Sequence, residues 1–229
     1  MPPPQRRRRI SGKVLALIII PLVIIGLLFG LDRVAAAYAA NVIATKIQAN
    51  GFPVKPGVSV EGFPFLTQVL SKHLDGIDIT APNVPAGPVT ADITAQATGI
   101  DLNSGYQSGT ISHVSGTGLI PFSSVASIPV LKGVPGLTIS RAGPHTVKLT
   151  ANLQVLTATA IARVRKTGHN RFSFRIVSAN GIPLSVLGPI RHVTVTIPQL
   201  PLGLTVQTVG VSTQGVVIGV TGSDVPFGQ

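Results

Sequence analysis

The chain has no cysteine and no tryptophan, one methionine, and a single glutamate, Glu61, in 229 residues. Without thiols it forms neither disulfides nor thiolate metal sites, so the fold must stand on its core alone. Aromatic residues are 4% and charged ones 11%, against 45% apolar, which calls for an aliphatic core of Val, Ile, Leu and Ala rather than stacked rings. The histidines, His73, His113, His145, His169 and His192, are scattered, with none four residues from another or beside the glutamate, so metal binding has no spacing to rest on. "GVSVE" around Ser59 lacks the second glycine of a nucleophile elbow, "GTG" at Gly116 lacks the rest of a dinucleotide fingerprint, and no phosphate loop is present. No metal or cofactor is expected. Asp75 and Asp78 in "LDGIDIT" read as carboxylates flanking a turn at Gly76, on the solvent face of a strand. The rival reading makes one of them the acid or base of a lipid-modifying hydrolase, working with a histidine.

What is present is charge of one sign, unevenly placed. The net charge is +11, and residues 1 to 31 supply +5 of it through Arg6, Arg7, Arg8, Arg9 and Lys13 with no acid. Residues 32 to 124 sum to −2, whereas 125 to 229 hold nine basic groups against Asp224 alone. The length suits one domain plus an appendage, because single cores stop growing near 250 residues.

The appendage is apolar. Val14 to Leu31 are eighteen uncharged, mostly apolar residues, which as a helix rise roughly 27 Å and just cross a hydrocarbon core of about 30 Å. By the positive-inside rule the arginine run stays cytoplasmic and the rest of the chain is sent outside. Residues 1–13 are thus expected as a cytoplasmic basic tail, 14–31 as a transmembrane signal anchor and 32–229 as an extracytoplasmic domain. Ala35-Ala36-Ala37-Tyr38-Ala39 also offers the small residues of a cleavage site, which would leave the domain secreted. Either placement argues against a nucleic-acid partner.

After the span, "DRVAAAYAANVIATKIQAN" reads as an amphipathic helix with Val34, Tyr38, Val42, Ile43 and Ile47 as its stripe, stopped by Asn50-Gly51. Beyond Pro53 the pattern alternates with a period of two, as in "PVTADITAQATGIDL", and Gly and Pro punctuate the runs. The expected class is α+β, strand-dominated: a curved antiparallel sheet or partial barrel wrapped on one long helix, preceded by the membrane helix. In "ATAIARVRKTGHNRFSFRIVSA", a loop at Thr167-Gly168-His169 turns Ala162, Val164, Phe172, Phe174 and Ile176 inward and Arg163, Arg165, Arg171 and Arg175 to the other face. Beside a bilayer such a ribbon suits anionic headgroups, since guanidinium forks pair with phosphate. A merely solvated outer face is the alternative.

"GFPFLTQVL" stands apart, with two of the eight phenylalanines around a proline. On an extended chain Phe63 and Phe65 share one side, and Leu66, Val69, Leu70 and Leu74 form one face of a short following helix. The rings either line a cavity between helix and sheet or anchor the sheet onto the helix.

The run "LDRVAAAYAANVIATKIQ" followed by "VSVEGFPFLTQVLSKHLDGIDITAPNV", with "VPGLTIS" and "LPLGLTVQTVGVSTQGVVIGVTG" later, resembles the LmeA-like family of actinobacterial envelope proteins. The resemblance implies a phospholipid-binding domain of the tubular-lipid-binding type, similar to the bactericidal permeability-increasing protein fold. A member of that family is linked to phosphoinositides and to mannosylated envelope glycolipids. The expected function is therefore binding, without turnover, of anionic phospholipid or a phosphatidylinositol-derived glycolipid in envelope assembly. Phe63, Phe65, Leu66, Val69, Leu70, Tyr38, Val42, Phe172 and Phe174 are the candidates for an acyl cavity. The four arginines are the candidates for the headgroup. The rival is a scaffold that binds no lipid and docks on an envelope glycosyltransferase.

Overall fold

One helix carries the chain out of its apolar segment and into the domain. In the computed structural model, which describes residues 12–153, 156–180, 191–197 and 204–228, α1 runs unbroken over Gly12–Ala49. Eleven strands are described: β1 Gly57–Val60, β2 His73–Ala86, β3 Val89–Leu102, β4 Gly109–Pro121, β5 Thr138–Gly143, β6 Thr146–Leu153, β7 Leu156–Gly168, β8 Arg171–Asn180, β9 His192–Thr196, β10 Thr205–Val211 and β11 Gly215–Phe227. Short helices α2 (Phe65–Ser71), α3 (Phe122–Ala126) and α4 (Pro129–Lys132) fill the turns. The strands form two antiparallel sheets and no closed barrel: sheet A in the order β1-β2-β3-β4-β11-β10, and sheet B in the order β5-β6-β7-β8-β9. The strand-dominated α+β class with one long N-terminal helix is the one the sequence pattern leads to.

From Leu17 to Leu31 the large apolar side chains of α1 are bare, and this is one helix long and apolar enough to cross a membrane. Above Leu31, α1 lies along the edge strand β1, and its buried residues are Asp32, Ala36, Ala40 and Ala44. This face differs from the expected stripe. Spaced at i, i+4, the small alanines let backbones approach closely, while Val34 and the 72% exposed Tyr38 turn away from the domain. Val42, Ile43 and Ile47 are half-buried on its flanks.

Direction along the molecule follows from these contacts. Arg33 reaches the Gly62 carbonyl and Asn41 bonds Lys55, so β1 descends toward the apolar span as α1 ascends. The antiparallel partner β2 therefore climbs away from the span. From Ile77, paired with Val60, to Ala86 it makes nine residue steps, about 30 Å along the strand.

Two cores occupy the two ends. Near the span, Ala36 and Phe65 pack with Leu74, Ile77, Ala97, Ile100, Ile111, Val114 and Val225. At the far end, Ala86, Val89, Ile120, Val206, Val209 and Val216 of sheet A meet Val147, Val164, Phe172, Phe174 and Val195 of sheet B. The rim of sheet B is stitched on by backbone hydrogen bonds from Val206 to His169 and from Val211 to Pro144.

Strict alternation fails along one line of sheet A. Leu74 and Ile77, Ala97 and Ile100, and Ile111 and Val114 are each three residues apart, yet both members of every pair are buried. Regular strands would put them on opposite faces. The break falls at one level, through Gly76, Thr98, His113 and Ser223 in register, and Gly99 and Asp224 beside it have positive φ. Gly76 consequently lies within β2, and the turn expected between Asp75 and Asp78 is replaced by this crease.

The start of α2 adds a tighter constraint. Gly62 has φ of +84°, and a Cβ there would run into the side chains of Asp75 and Gln68. Gly62→Ala is expected to destabilise the fold by about 2 kcal/mol, lowering Tm by roughly 4–8 °C. A thermal melt of the detergent-solubilised chain checks this.

Candidate lipid-binding site

The phenylalanine signature lies where α1 leaves its apolar stretch. Asp32 is 3% exposed, and its Oδ1 accepts the Leu66 amide at 2.8 Å while its Oδ2 accepts Arg33 Nη2 at 2.7 Å. The carboxylate of one helix thus satisfies a first-turn amide of another, where Pro64 offers no capping side chain. Buried Gln68 ties the same corner to the sheet, donating to the Glu61 carbonyl at 3.2 Å and accepting from the Asp75 amide at 2.9 Å.

The two rings part company there. The Phe63–Pro64 peptide is cis and Phe65 opens α2, so the segment is not an extended strand. Phe65 enters the lower core, whereas Phe63 is 57% exposed, its ring 5.3 Å from that of Phe29 and under the Arg33 guanidinium at 5.3 Å. On α2, Phe65 and Gln68 face inward, Val69 is half-buried, and Leu66 and Leu70 point out. Lys72, in the left-handed conformation, ends the helix, and Leu74 belongs to β2.

Phe172 and Phe174 lie in the other core, their rings edge to face at 5.5 Å. Phe174 lines a small apolar cavity of about 20 Å³ with Val125, Leu131, Val147, Ala162 and Ile176, between sheet B and the short helices α3 and α4. That is room for about one water. An acyl chain would require sheet B and the α3–α4 segment to separate. The candidate acyl residues therefore form two groups, one beside the apolar helix α1 and one at the far end of sheet A.

The arginine hairpin forms with its turn at His169-Asn170, one residue later than expected. Ala162, Val164, Phe172, Phe174 and Ile176 are buried, and Arg163, Arg165, Arg171 and Arg175 are exposed on the other face. Arg163 stands directly opposite Arg175, and Arg165 opposite the buried Ser173, with Thr194, Thr196 and His192 of β9 completing the row. No salt bridge to a carboxylate joins these arginines among the described residues. One placement differs from the sequence reading: the ribbon belongs to sheet B, away from the apolar span, not beside it. It occupies the face of sheet B opposite Phe174 and the cavity, as the alternation leads one to expect.

Asp75 is exposed on β2, and Asp78 faces Glu61 across the β1–β2 ladder. A hydrogen bond with Asp78, repulsion from its charge and burial hold the Glu61 carboxyl above its ordinary value, against a lowering bond from Gln96. Among the described residues neither Asp75 nor Asp78 bonds a histidine; His73 Nδ1 lies 2.7 Å from Asp101 instead.

Over residues 30–221 the chain matches the LmeA-like phospholipid-binding family. It belongs to that family. The matched span takes in the Asp32 corner, both cores and the arginine face, and the family is described by binding rather than by catalysis. No curated protein and no solved structure matches the chain.

Three features escaped the sequence reading: the capping by Asp32, the ring contacts of Arg33, and Tyr106 at the lower end of the sheet. The charged pair directly after an apolar run was the available signal for the first two.

Like charges directly opposed across a ladder destabilise it. Arg163→Glu converts the Arg163/Arg175 pair into an opposite-charge one and should stabilise the fold by roughly 0.5–1 kcal/mol, seen as a Tm rise of about 1–4 °C. The Glu61 shift has a sign as well. Since the folded state raises this pKa, the stability that Glu61 contributes is fully present below about pH 4 and is lost as pH rises through the raised value. Glu61→Gln, which keeps an acceptor for Gln96, should therefore melt above the parent near pH 7, the gap closing toward about pH 4.

Proposed function

We propose that this LmeA-like protein is held in the membrane by residues 14–31 with its domain outside the cytoplasm, and there binds anionic phospholipid or a phosphatidylinositol-derived glycolipid in envelope assembly. Membership in a phospholipid-binding family supports the ligand class. The observation that carries the anionic preference is the exposed face with Arg163, Arg165, Arg171 and Arg175, free of acidic partners among the described residues. Such a face binds phosphate bidentately and favours negative headgroups over neutral ones. An acyl chain would enter the apolar space around Phe174 only if sheet B and the α3–α4 segment part, each methylene then buried contributing about 0.8 kcal/mol.

The test is native mass spectrometry of the full chain, purified in detergent from a membrane-containing host. One retained phospholipid, enriched in anionic headgroups and losing that enrichment in Arg163→Glu/Arg165→Glu, is the expected result. Retention with unchanged headgroup preference in the double variant would remove the arginine face from the site. A chain that retains no lipid and takes up no added phosphatidylinositol would overturn the reading.

A further inference from the structure

Outside α1, the large apolar side chains exposed among the described residues are Phe63, Leu66, Leu70, Tyr106 and Val177. Four of these five lie at the end of the domain where α1 emerges. Phe63 touches Phe29, which is inside the apolar run, so its ring is at the depth of that run's upper boundary. The Leu66 amide is bonded to Asp32, the first charged residue after the run, which places the start of α2 at the same level. Leu70 follows one turn later on the same exposed face and is 81% exposed. The β3–β4 loop is hooked to this level by the Leu102 amide on the Lys72 carbonyl at 2.8 Å. Asn103 Oδ1 then gathers the Gly105 and Gln107 amides around Tyr106.

We propose that this end is a foot inserted in the extracytoplasmic leaflet of the bilayer that α1 crosses, with Phe63, Leu66, Leu70 and Tyr106 among the acyl chains and Lys72 at the headgroups. The proposal rests on the reading of α1 as a membrane span. The occupant is lipid because the patch is continuous with the bare apolar surface of α1 through the Phe29–Phe63 contact. Its chemistry is also that of an interfacial anchor: apolar tips, one tyrosine whose hydroxyl reaches water, and a lysine stem that snorkels. Inserted on two separate segments besides α1, the foot fixes the tilt of the domain and directs β2 away from the bilayer.

Because the chain has no cysteine, each introduced one gives a unique labelling site. Ile24→Cys, Leu70→Cys, Tyr106→Cys and Thr213→Cys all replace surface side chains, so core packing is kept. Each full-length variant is labelled with an environment-sensitive fluorophore in vesicles of phosphatidylcholine and phosphatidylglycerol, and quenched by lipids carrying a nitroxide at shallow or deep positions. The label at 24 is expected to be quenched by the deep nitroxide. Those at 70 and 106 should be blue-shifted and quenched by the shallow one, and that at 213, on the far β10–β11 turn, by neither. If 24 is quenched while 70 and 106 match 213, the foot is wrong and the span stands. If 24 is not quenched, the span reading fails and takes the foot with it. Labels at 70 and 106 that are blue-shifted but blind to both nitroxides would mean that protein covers the patch, and that also overturns the proposal.

Discussion

The buried carboxylate of Asp32 fixes how the rest of the molecule stands. It is the first charge after the apolar run, and it is consumed internally by the Leu66 amide and Arg33 rather than left to water. A buried charge is tolerated only when its oxygens are satisfied, so the geometry of this corner is demanding. Arg33 continues the link to the Gly62 carbonyl and over the Phe63 ring, and Gln68 carries it to Glu61 and Asp75 on the sheet. An unbroken helix joined to the sheet in this way acts as a rigid strut. Whatever holds α1 orients β2 and everything hydrogen-bonded to it.

That strut explains why the two cores need not be one. The lower core exists to seat α1 and α2 against the strand ends, and it uses small residues on the helix, Ala36 among them, to do so. The upper core exists to join two sheets and is built from Val, Ile and Phe. Between them the crease through Gly76, Thr98, His113 and Ser223 changes which side chains face inward, and Gly99 supplies the left-handed backbone such a break requires.

Period-two alternation made β3 and the strands from β6 through β11 legible, because their apolar residues recur at the spacing of a strand that buries one face. The arginine hairpin was legible for the same reason, down to which residues face in. Positions where a second element decides the face were not. The buried stripe of α1 is alanine because β1 and α2 come close to it, and helical periodicity in Val34 and Tyr38 cannot reveal that. Phe63 and Phe65 diverge because a helix starts between them, which the extended-chain reading of "FPF" had no means to weigh. The crease was hidden for a third reason: a shift of one residue, shared by four strands, only shows when their registers are aligned.

The distance between the arginine face and the apolar span of α1 bears on what that face can recognise. A bilayer's surface potential decays within a Debye length, about 8 Å at physiological salt. From Ile77 to Ala86 β2 rises about 30 Å along the strand, and its upper end packs in the core shared with sheet B. In the proposed membrane orientation Arg163, Arg165, Arg171 and Arg175 would therefore be screened from headgroups around α1, and their mutual repulsion would not be relieved there. An anion that neutralises them must be brought to the far end, either as a lipid lifted out of the bilayer or as an anionic surface facing it. On the proposed reading, entry and recognition are separated: the exposed Phe63 ring would meet the acyl chains, whereas the candidate headgroup arginines belong to sheet B. A lipid that used both would have to span sheet A, which carries the half-buried Ile79, Ile93 and Ala95 between the two cores.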